Sequence, residues 1–381
     1  MKQLSMFIIF TFIVSCTSKN AKNENGNWPD NMQKLAATLT DLLPFVYNQE
    51  KFEDPSNKEA VKGKMKKFFE ASHKIPKERA VELLGKDPLV NMSIESLERE
   101  VASAISSFER GNYRYSRHLL QHTLNYCFAC HTRNQIGPKY DYWDLKNIDT
   151  GDMNVIQKSQ VMVATRQFDK AKEILQSNLL TGTQSSENPY FKEQAIKQYL
   201  SIVVRAEESP QNGYKFVKDL MGKVTLPIYL SRNLKSWEDS FLDWLGEKKA
   251  NKNSLNHAKK LIESADIIHT GADSDSKYVD YLRASTLLHQ ELGKNITKKN
   301  RAEVLYYLGV VYGLLSDSGF WELPDVYFES CIRELPKSQL AKACYSRYEQ
   351  DIIVGYSGSA GTFIPTDERK KLTMLKELAG Y

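Results

Sequence analysis

The sequence predicts an all-α protein in which a four-helix bundle is followed by an α-solenoid of helical hairpins. Apolar residues recur every three or four positions through most of the chain, which is the period of a helix that buries one face. The two-residue alternation that is typical of strands is almost lacking. With 381 residues, 41% of them hydrophobic, the chain is long enough for two domains with cores of their own.

Residues 1–18 have the features of an export signal. Lys2 supplies a positive start, and residues 6–14 form an apolar run that is too short to span a bilayer. The signal ends in Ile-Val-Ser-Cys, with the cysteine at position 16. This ending resembles the bacterial lipobox, in which cleavage leaves the cysteine as a new, acylated N-terminus. We therefore expect lipidation at Cys16, and the alternative is an ordinary secretory signal in which Cys16 is incidental.

The resemblance to the lipobox also implies a location. Acyl chains on Cys16 would hold the protein to a membrane of the cell envelope, facing the periplasm. Lipoproteins sorted to the outer membrane avoid an aspartate directly after the cysteine, so Thr17 favours the outer over the inner membrane. Residues 19–27, rich in Asn and Lys, are predicted to form a flexible tether.

Four amphipathic helices are predicted in the next segment, residues 28–135. Their apolar stripes indicate helices at residues 29–46, 58–75, 92–110 and 113 to about 133. Pro44 is expected to kink or end the first helix. On the fourth helix Leu120, Leu124, Cys127 and His131 are separated by four, three and four positions, so they share one face.

Residues 127–131, Cys-Phe-Ala-Cys-His, match the haem c attachment pattern C-x-x-C-H. In this chemistry the thiols of Cys127 and Cys130 add to the two vinyl groups of haem, and His131 becomes the proximal iron ligand. The alternatives are a local disulfide or a zinc site with His131 incidental, although a closed zinc site needs four ligands. We predict one covalent haem c, whose attachment outside the cytoplasm agrees with the export signal.

Four helices with C-x-x-C-H near the end of the last one resemble the cytochrome c prime and class II cytochrome c family. The resemblance covers residues 28–135 and implies an antiparallel bundle with haem between the first and last helices. It also implies that Met32, early in the first helix, is the distal iron ligand, because related four-helix b-type cytochromes carry a methionine at a like place. Helical periodicity turns His122 and His118 away from His131. The alternative is that Met32 is only a core residue.

Residues 136–152 lack a helical period and are predicted to be a linker, and residues 153–381 are helical to the end. Parts of this region resemble tetratricopeptide half-repeats, for example the small-large pair Ala171 and Leu175. Such a repeat domain implies a concave surface that binds a protein or a peptide. An unrelated helical bundle is the alternative.

Two further cysteines, Cys331 and Cys344, are predicted to form a disulfide in the oxidising envelope, and two separate buried thiols are the alternative. His257, His269 and His289 have no ligand partners nearby in sequence. We expect them to be structural or surface histidines.

Together these features predict a membrane-anchored monohaem cytochrome that transfers one electron to or from a redox partner protein. A haem-based gas binder or sensor is one alternative, and a scaffold lipoprotein with a structural haem is another. The sequence contains no triad, phosphate loop or paired carboxylates, so we do not predict an enzyme; an open iron site would leave peroxidase activity as an alternative. A net charge of +5, from 52 basic and 47 acidic residues, does not indicate a nucleic-acid partner.

Overall fold

The computed structural model describes residues 28–75, 86–133, 150–181, 188–247, 254–263, 274–315 and 322–381. The predicted all-α class is confirmed, because almost all of these residues are helical. The strands within the described ranges are one short antiparallel pair, β1 (Ser357–Gly358) and β2 (Gly361–Thr362). No helix in the described part of the chain has the length and apolarity that crossing a membrane requires.

The first part of the chain contains five α-helices among its described residues. They are α1 (Trp28–Val46), α2 (Gln49–Glu53), α3 (Lys58–His73), α4 (Pro88–Glu109) and α5 (Tyr113–Arg133), with a 3-10 turn at Pro55–Asn57. Pro44 lies inside α1, and the helix ends two residues later, in line with the expectation that proline kinks or ends it.

The described helices of the second part continue in chain order. They are α6 (Val155–Ala164), α7 (Phe168–Thr181), α8 (Pro189–Ser201), α9 (Pro210–Lys223), α10 (Ile228–Gly246), α11 (Ser254–Glu263), α12 (Tyr278–Leu292), α13 (Lys298–Leu314), α14 (Leu323–Glu334), α15 (Gln339–Gly355) and α16 (Thr366–Ala379). A π-helical turn, Ile202–Ala206, extends α8, and a 3-10 turn, Ser274–Lys277, precedes α12.

The start of α4 differs from the prediction. The helix begins at Pro88, whereas the apolar stripe indicated residue 92. Proline is well suited to the first helical position, and the Asp87 side chain caps the helix by accepting a hydrogen bond from the Leu89 amide at 3.0 Å. The Asp87 cap and Pro88 therefore determine where α4 starts, and the apolar stripe begins about one turn inside the helix.

Neighbouring helices in the first part are antiparallel. Asn31 at the start of α1 donates to the carbonyl of Lys74 at the end of α3, 3.1 Å away. Lys62 near the start of α3 is 2.7 Å from Glu109 at the end of α4. On α5, Ser116 donates to the Ala104 carbonyl of α4 at 2.8 Å. The order α1, α3, α4, α5 therefore alternates in direction, as in an up-down bundle.

The first and last helices of this part meet over only a short stretch. The contact is at the end of α1, where the Val46 carbonyl accepts hydrogen bonds from Arg117 at 3.0 Å and from Gln121 at 3.5 Å. The remaining length of α1 packs mainly on α3. A bundle closed along its whole length between α1 and α5 is therefore not confirmed.

The predicted boundary between two domains is crossed by tight packing. Asp152, at the end of the predicted linker, donates its amide to the Tyr47 carbonyl at 2.7 Å. Gly151 has φ +48, and a Cβ there would lie 1.8 Å from the Tyr47 carbonyl oxygen, so glycine is required at this approach. The linker residues 134–149 lie outside the described residues.

Helical hairpins make up much of the second part, for example α6 with α7, α9 with α10 and α13 with α14. The chain then returns to its first part, because α14 packs against α4 and Arg301 donates to the Lys86 carbonyl at 2.7 Å. One apolar cluster runs through both parts. The division into a bundle and a separate solenoid is therefore not confirmed.

Candidate haem-attachment site

The last turns of α5 carry the C-x-x-C-H residues. The motif is helical throughout, and its face begins with Leu120 and Leu124, which are buried in the core. In a helix the residues at positions 127, 130 and 131 project within one third of a turn or less of each other, so the two thiols and the imidazole lie on one side. The fold therefore brings together the three side chains that the sequence pattern selected.

Cys127 and Cys130 are free thiols and both are half-buried. They are not joined to each other, so the local disulfide considered from the sequence is not formed here. Burial raises the pKa of the Cys127 thiol to about 12, and it raises the pKa of Cys130 to about 11 against the opposing charges of Arg133 and Arg166. Within the described ranges, no three His, Cys, Asp or Glu residues form a metal-binding group, so these ranges supply no further ligands for a closed zinc site.

His131 is oriented by the end of a neighbouring helix. Its Nδ1 lies 3.1 Å from the Val163 carbonyl oxygen of α6. A carbonyl only accepts hydrogen bonds, so the proton is on Nδ1 and Nε2 keeps its lone pair. Burial lowers the pKa of His131 to about 4, with the nearby Arg166 charge acting in the same direction. The imidazole is therefore neutral at physiological pH, which is the form that binds a metal.

The acceptor of this hydrogen bond comes from a helix terminus. Val163 belongs to the last turn of α6, where carbonyls lack the usual partner four residues further on. Its oxygen accepts the Arg166 amide at 2.9 Å in addition to the imidazole of His131. An Nδ1–H bonded to a backbone carbonyl is the usual arrangement behind a metal-ligating histidine, because it holds the ring and makes Nε2 more basic.

These residues fit a covalently attached haem. Two unpaired thiols would provide the thioether bonds, and a neutral imidazole would ligate the iron through Nε2. The fit rests on the donor set and on the fixed tautomer of His131.

Met32, the predicted distal ligand, lies on α1 and is partly buried against the core. Because α1 and α5 are antiparallel and joined at Val46, the start of α1 points toward the end of α5 that carries the motif. The bonds between the two helices are made by Arg117 and Gln121, on the first half of α5. Ligation of the iron by Met32 stays a prediction.

The other candidate ligands of the first part have structural contacts. His122 has its Nδ1 2.8 Å from Oε1 of Glu100 on α4, and this hydrogen bond raises the pKa of His122 although burial opposes it. Met65 is fully buried, with its sulfur 4.0 Å from the Ser116 hydroxyl. The contact of His122 agrees with its elimination on sequence grounds, and Met65 is held inside the core.

The remaining predicted sites lie elsewhere. The Sγ atoms of Cys331 on α14 and Cys344 on α15 are joined in a disulfide, the pairing that the sequence indicated. Cys16 lies outside the described residues, as does His269. His257 is 3.4 Å from Glu247 in a half-exposed position.

A buried polar cluster was missed by the sequence analysis. It consists of Asp87, His289, Tyr312 and Tyr327, and we call it the Asp87 cluster. The Nδ1 atom of His289 is hydrogen-bonded to the Asp87 carboxylate at 2.5 Å, and its Nε2 atom is hydrogen-bonded to the Tyr312 hydroxyl at 2.7 Å. Tyr327 donates its hydroxyl to Asp87 at 2.9 Å. The one local signal was the Asp-Pro pair at the start of α4, which indicates a cap but no distant partner.

Comparisons with known proteins provide no relative for this arrangement. No family model matches the chain, and neither the curated proteins nor the solved structures give a match.

Proposed function

We propose that this chain is a lipid-anchored c-type cytochrome of the cell envelope that carries a single covalent haem and transfers one electron. The observation that carries the proposal is the combination of two free thiols and one oriented, neutral histidine on the last turns of α5. A reactive thiol pair alone would not need an imidazole held at Nδ1 by the Val163 carbonyl, whereas a metal-ligating histidine usually has such support. A closed zinc site would need a fourth ligand, which the described residues do not supply.

The side chains have separate tasks in this function. Cys127 and Cys130 hold the group through thioether bonds, and His131 supplies Nε2. Haem iron bound there would alternate between the ferrous and ferric states and so carry one electron. The Val163 carbonyl fixes the tautomer and the orientation of the imidazole, and the buried Leu120 and Leu124 extend an apolar surface next to the motif.

The second part of the chain is proposed to dock the redox partner. Its helical hairpins resemble a repeat scaffold. Large apolar side chains are exposed near its C-terminal end, where Val354 is 67% and Phe363 is 77% exposed. We take these side chains as part of the proposed contact site, because exposed apolar surface that is contiguous marks sites of protein contact.

Gas binding is a second candidate, favoured by the short contact between α1 and α5. If Met32 does not reach the iron, the distal position stays open to diatomic ligands. The two candidates differ in coordination number, so they differ in their optical spectra.

The test is a reduced-minus-oxidised spectrum of the full chain, produced in a host with the c-type maturation machinery and recorded with and without carbon monoxide. Electron transfer predicts a sharp six-coordinate α band that carbon monoxide barely changes. A broad high-spin band that shifts on adding carbon monoxide would favour gas binding. Haem that leaves the polypeptide during denaturing electrophoresis would refute covalent attachment.

Two variants make the test specific to the motif. His131→Ala should abolish the native spectrum, whereas His122→Ala should retain it, because His122 is on the same helix but contacts Glu100. Equal spectra for the two variants would contradict the assignment of His131.

A further inference from the structure

A cavity of about 250 Å³ lies beside α5. Phe128, Ala129 and Arg133 contribute to its wall from α5. At about 100° per residue, Ala129 is roughly 160° around the helix from Cys127 and about 100° from Cys130, whereas Arg133 is about 60° from Cys130. The cavity therefore lies mainly on the side of α5 away from Cys127. Its volume is at the small end for a ligand site, which limits an occupant to a small molecule.

Arg205 brings an unpartnered cation to this cavity. It belongs to the π-helical turn after α8, lines the cavity wall and is only 5% exposed. Its Nε donates to the Ser285 hydroxyl at 3.1 Å, but its Nη2 is buried and has no hydrogen-bond partner among the described residues. Burial lowers the pKa of Arg205 to about 10, so the guanidinium is still charged at neutral pH. A buried charge that no carboxylate of the described residues balances is costly, and an anion in the cavity would offset that cost.

Arg133 adds a second guanidinium from α5. Its Nη1 donates to the Ala129 carbonyl at 2.9 Å, whereas its Nε is buried without a partner in the described ranges. Both guanidinium groups make cation–π contacts with the same ring: the Cζ atom of Arg133 is 4.6 Å, and that of Arg205 5.7 Å, from the centroid of the Tyr312 ring. Neither is within salt-bridge distance of a carboxylate in these ranges. Among the described residues, the two charges therefore face the ring of Tyr312 and no carboxylate balances them.

The two positive charges affect the pKa of the Tyr312 hydroxyl. Burial alone would raise the pKa of Tyr312, but the charges of Arg133, His289 and Arg205 lower it to about 8. The third cation of the wall, Lys197, differs from the arginines because it is 2.8 Å from Glu193 and 2.9 Å from Asp275. Its charge is already balanced, so the two arginines remain as the anion-binding groups.

We propose that this cavity binds a small organic carboxylate, held by the guanidinium groups of Arg133 and Arg205. Hydrogen bonds from a guanidinium to a carboxylate are short and strong, and each arginine keeps one buried donor atom unused, Nη2 of Arg205 and Nε of Arg133. The wall also contains apolar residues, Ile156, Leu282 and Leu315, next to the amide side chains of Gln160 and Gln198. A molecule with a short apolar body and one or two carboxylates suits this lining better than an inorganic anion.

The carboxylate has two conceivable sources: a free acid or a propionate of haem attached at Cys127 and Cys130. The cavity lies mainly on the side of α5 away from Cys127, and on this ground we commit to a free acid. The proposal does not rest on haem attachment, because the arginines and the wall are complete without it.

The test measures thermal unfolding of the full chain with sodium acetate, succinate, benzoate or phosphate, each against sodium chloride at equal ionic strength. At least one carboxylate should raise the unfolding midpoint above the chloride control, and titration calorimetry should give a single site. Arg205→Gln should weaken this binding by roughly tenfold or more. The matched control is Arg232→Gln, an exposed arginine of α10, which should leave the binding unchanged.

Arg205→Lys keeps the buried charge but loses the guanidinium donors. It therefore tests the role of Arg205 if Arg205→Gln does not fold. It should bind the same acid more weakly than the wild type does. Midpoints that no carboxylate raises above the chloride control, or binding that is equal in wild type and Arg205→Lys, would overturn the proposal. A response to phosphate alone would also overturn it.

Comparison with Cys127→Ser/Cys130→Ser identifies the source of the carboxylate. Equal binding by the haem-loaded protein and by this variant supports a free acid. Binding by the variant alone would mean that a propionate fills the same two-arginine site in the loaded protein. If no haem is found in either protein but the acid binds, the proposed electron transfer fails and the carboxylate site stands.

Discussion

The carboxylate of Asp87 and the imidazole of His289 lie 2.5 Å apart although 202 residues separate them in the chain. Both side chains are buried. The same carboxylate caps α4 through the Leu89 amide and accepts the hydroxyl of Tyr327. One side chain therefore joins the start of the helix α4 to α12 and α14 in the second part of the chain.

Loss of this carboxylate should be severely destabilising. Asp87→Ala leaves His289 buried without its partner and also removes the cap of α4, so we expect a loss of about 3–5 kcal/mol in the free energy of unfolding. The matched control is Asp54→Ala. Asp54 is also a capping aspartate, but it is exposed and accepts from Ser56, so its loss should cost much less than the loss of Asp87. Denaturant unfolding of both variants measures the difference, and equal losses would contradict the role of the pair.

The pair also predicts how stability depends on pH. Burial alone would raise the pKa of Asp87, but His289 and the hydrogen bonds lower it below 3.8; burial alone would lower the pKa of His289, but Tyr312 and Asp87 raise it above 6.5. The contribution of Asp87 is present above its unfolded pKa and is lost as pH falls through its folded pKa. The contribution of His289 is complete below its unfolded pKa and is lost as pH rises through its folded pKa. The pair should therefore stabilise most between about pH 4 and 6.5. His289→Gln should flatten the decline above pH 6.5, and an unchanged profile would argue against the charged pair.

Met32 is predicted to be the distal iron ligand. Met32→Ala should open the iron to carbon monoxide and lower the reduction potential, because a thioether ligand raises it. Met92→Ala is the matched control, since Met92 is also partly buried but lies on α4. Carbon monoxide titration and redox titration of both variants check the prediction. Ready binding of carbon monoxide by the wild-type protein would already exclude Met32.

Cys16 is predicted to carry the lipid. Cells fed radiolabelled palmitate should label the wild-type chain, whereas Cys16→Ser should be unlabelled and should leave the membrane fraction. Replacement of Thr17 by alanine serves as the control and should leave the labelling intact. Label that persists in Cys16→Ser would place the acyl group at another residue.

The disulfide between Cys331 and Cys344 should stabilise the last helical hairpins. The bond closes a loop of sequence separation 13, and loop-closure entropy assigns about 3 kcal/mol to a loop of this size. Cys331→Ala/Cys344→Ala should lose roughly that amount of unfolding free energy, with a further loss from packing because both positions are fully buried. Non-reducing peptide mapping checks the bond directly, and two free thiols in the mapped peptides would reject it.

The sequence was sufficient where an interaction is local. Helical period predicted the all-α class, and the short spacing between Cys127 and His131 placed the motif on one helical face. The contacts of Asp87 and Arg205 could not be foreseen, because their partners come from helices that are distant in sequence. Their environment depends on how the second part of the chain returns to α4. A sequence pattern contains information about neighbours along the chain. The contacts of Asp87 and Arg205 instead depend on how distant helices pack.

The hydrogen bond from His131 to Val163 has a consequence for the timing of biogenesis. Val163 follows His131 by 32 residues, so it leaves the translocation channel later than the cysteines do. If the chain is loaded with haem as proposed, the thiols and the imidazole are most accessible to the loading enzyme before α6 docks. Once α6 docks, the imidazole is engaged and the thiols are half-buried. Haem loading would then compete kinetically with the docking of one ten-residue helix. Slower emergence of that helix should increase the loaded fraction.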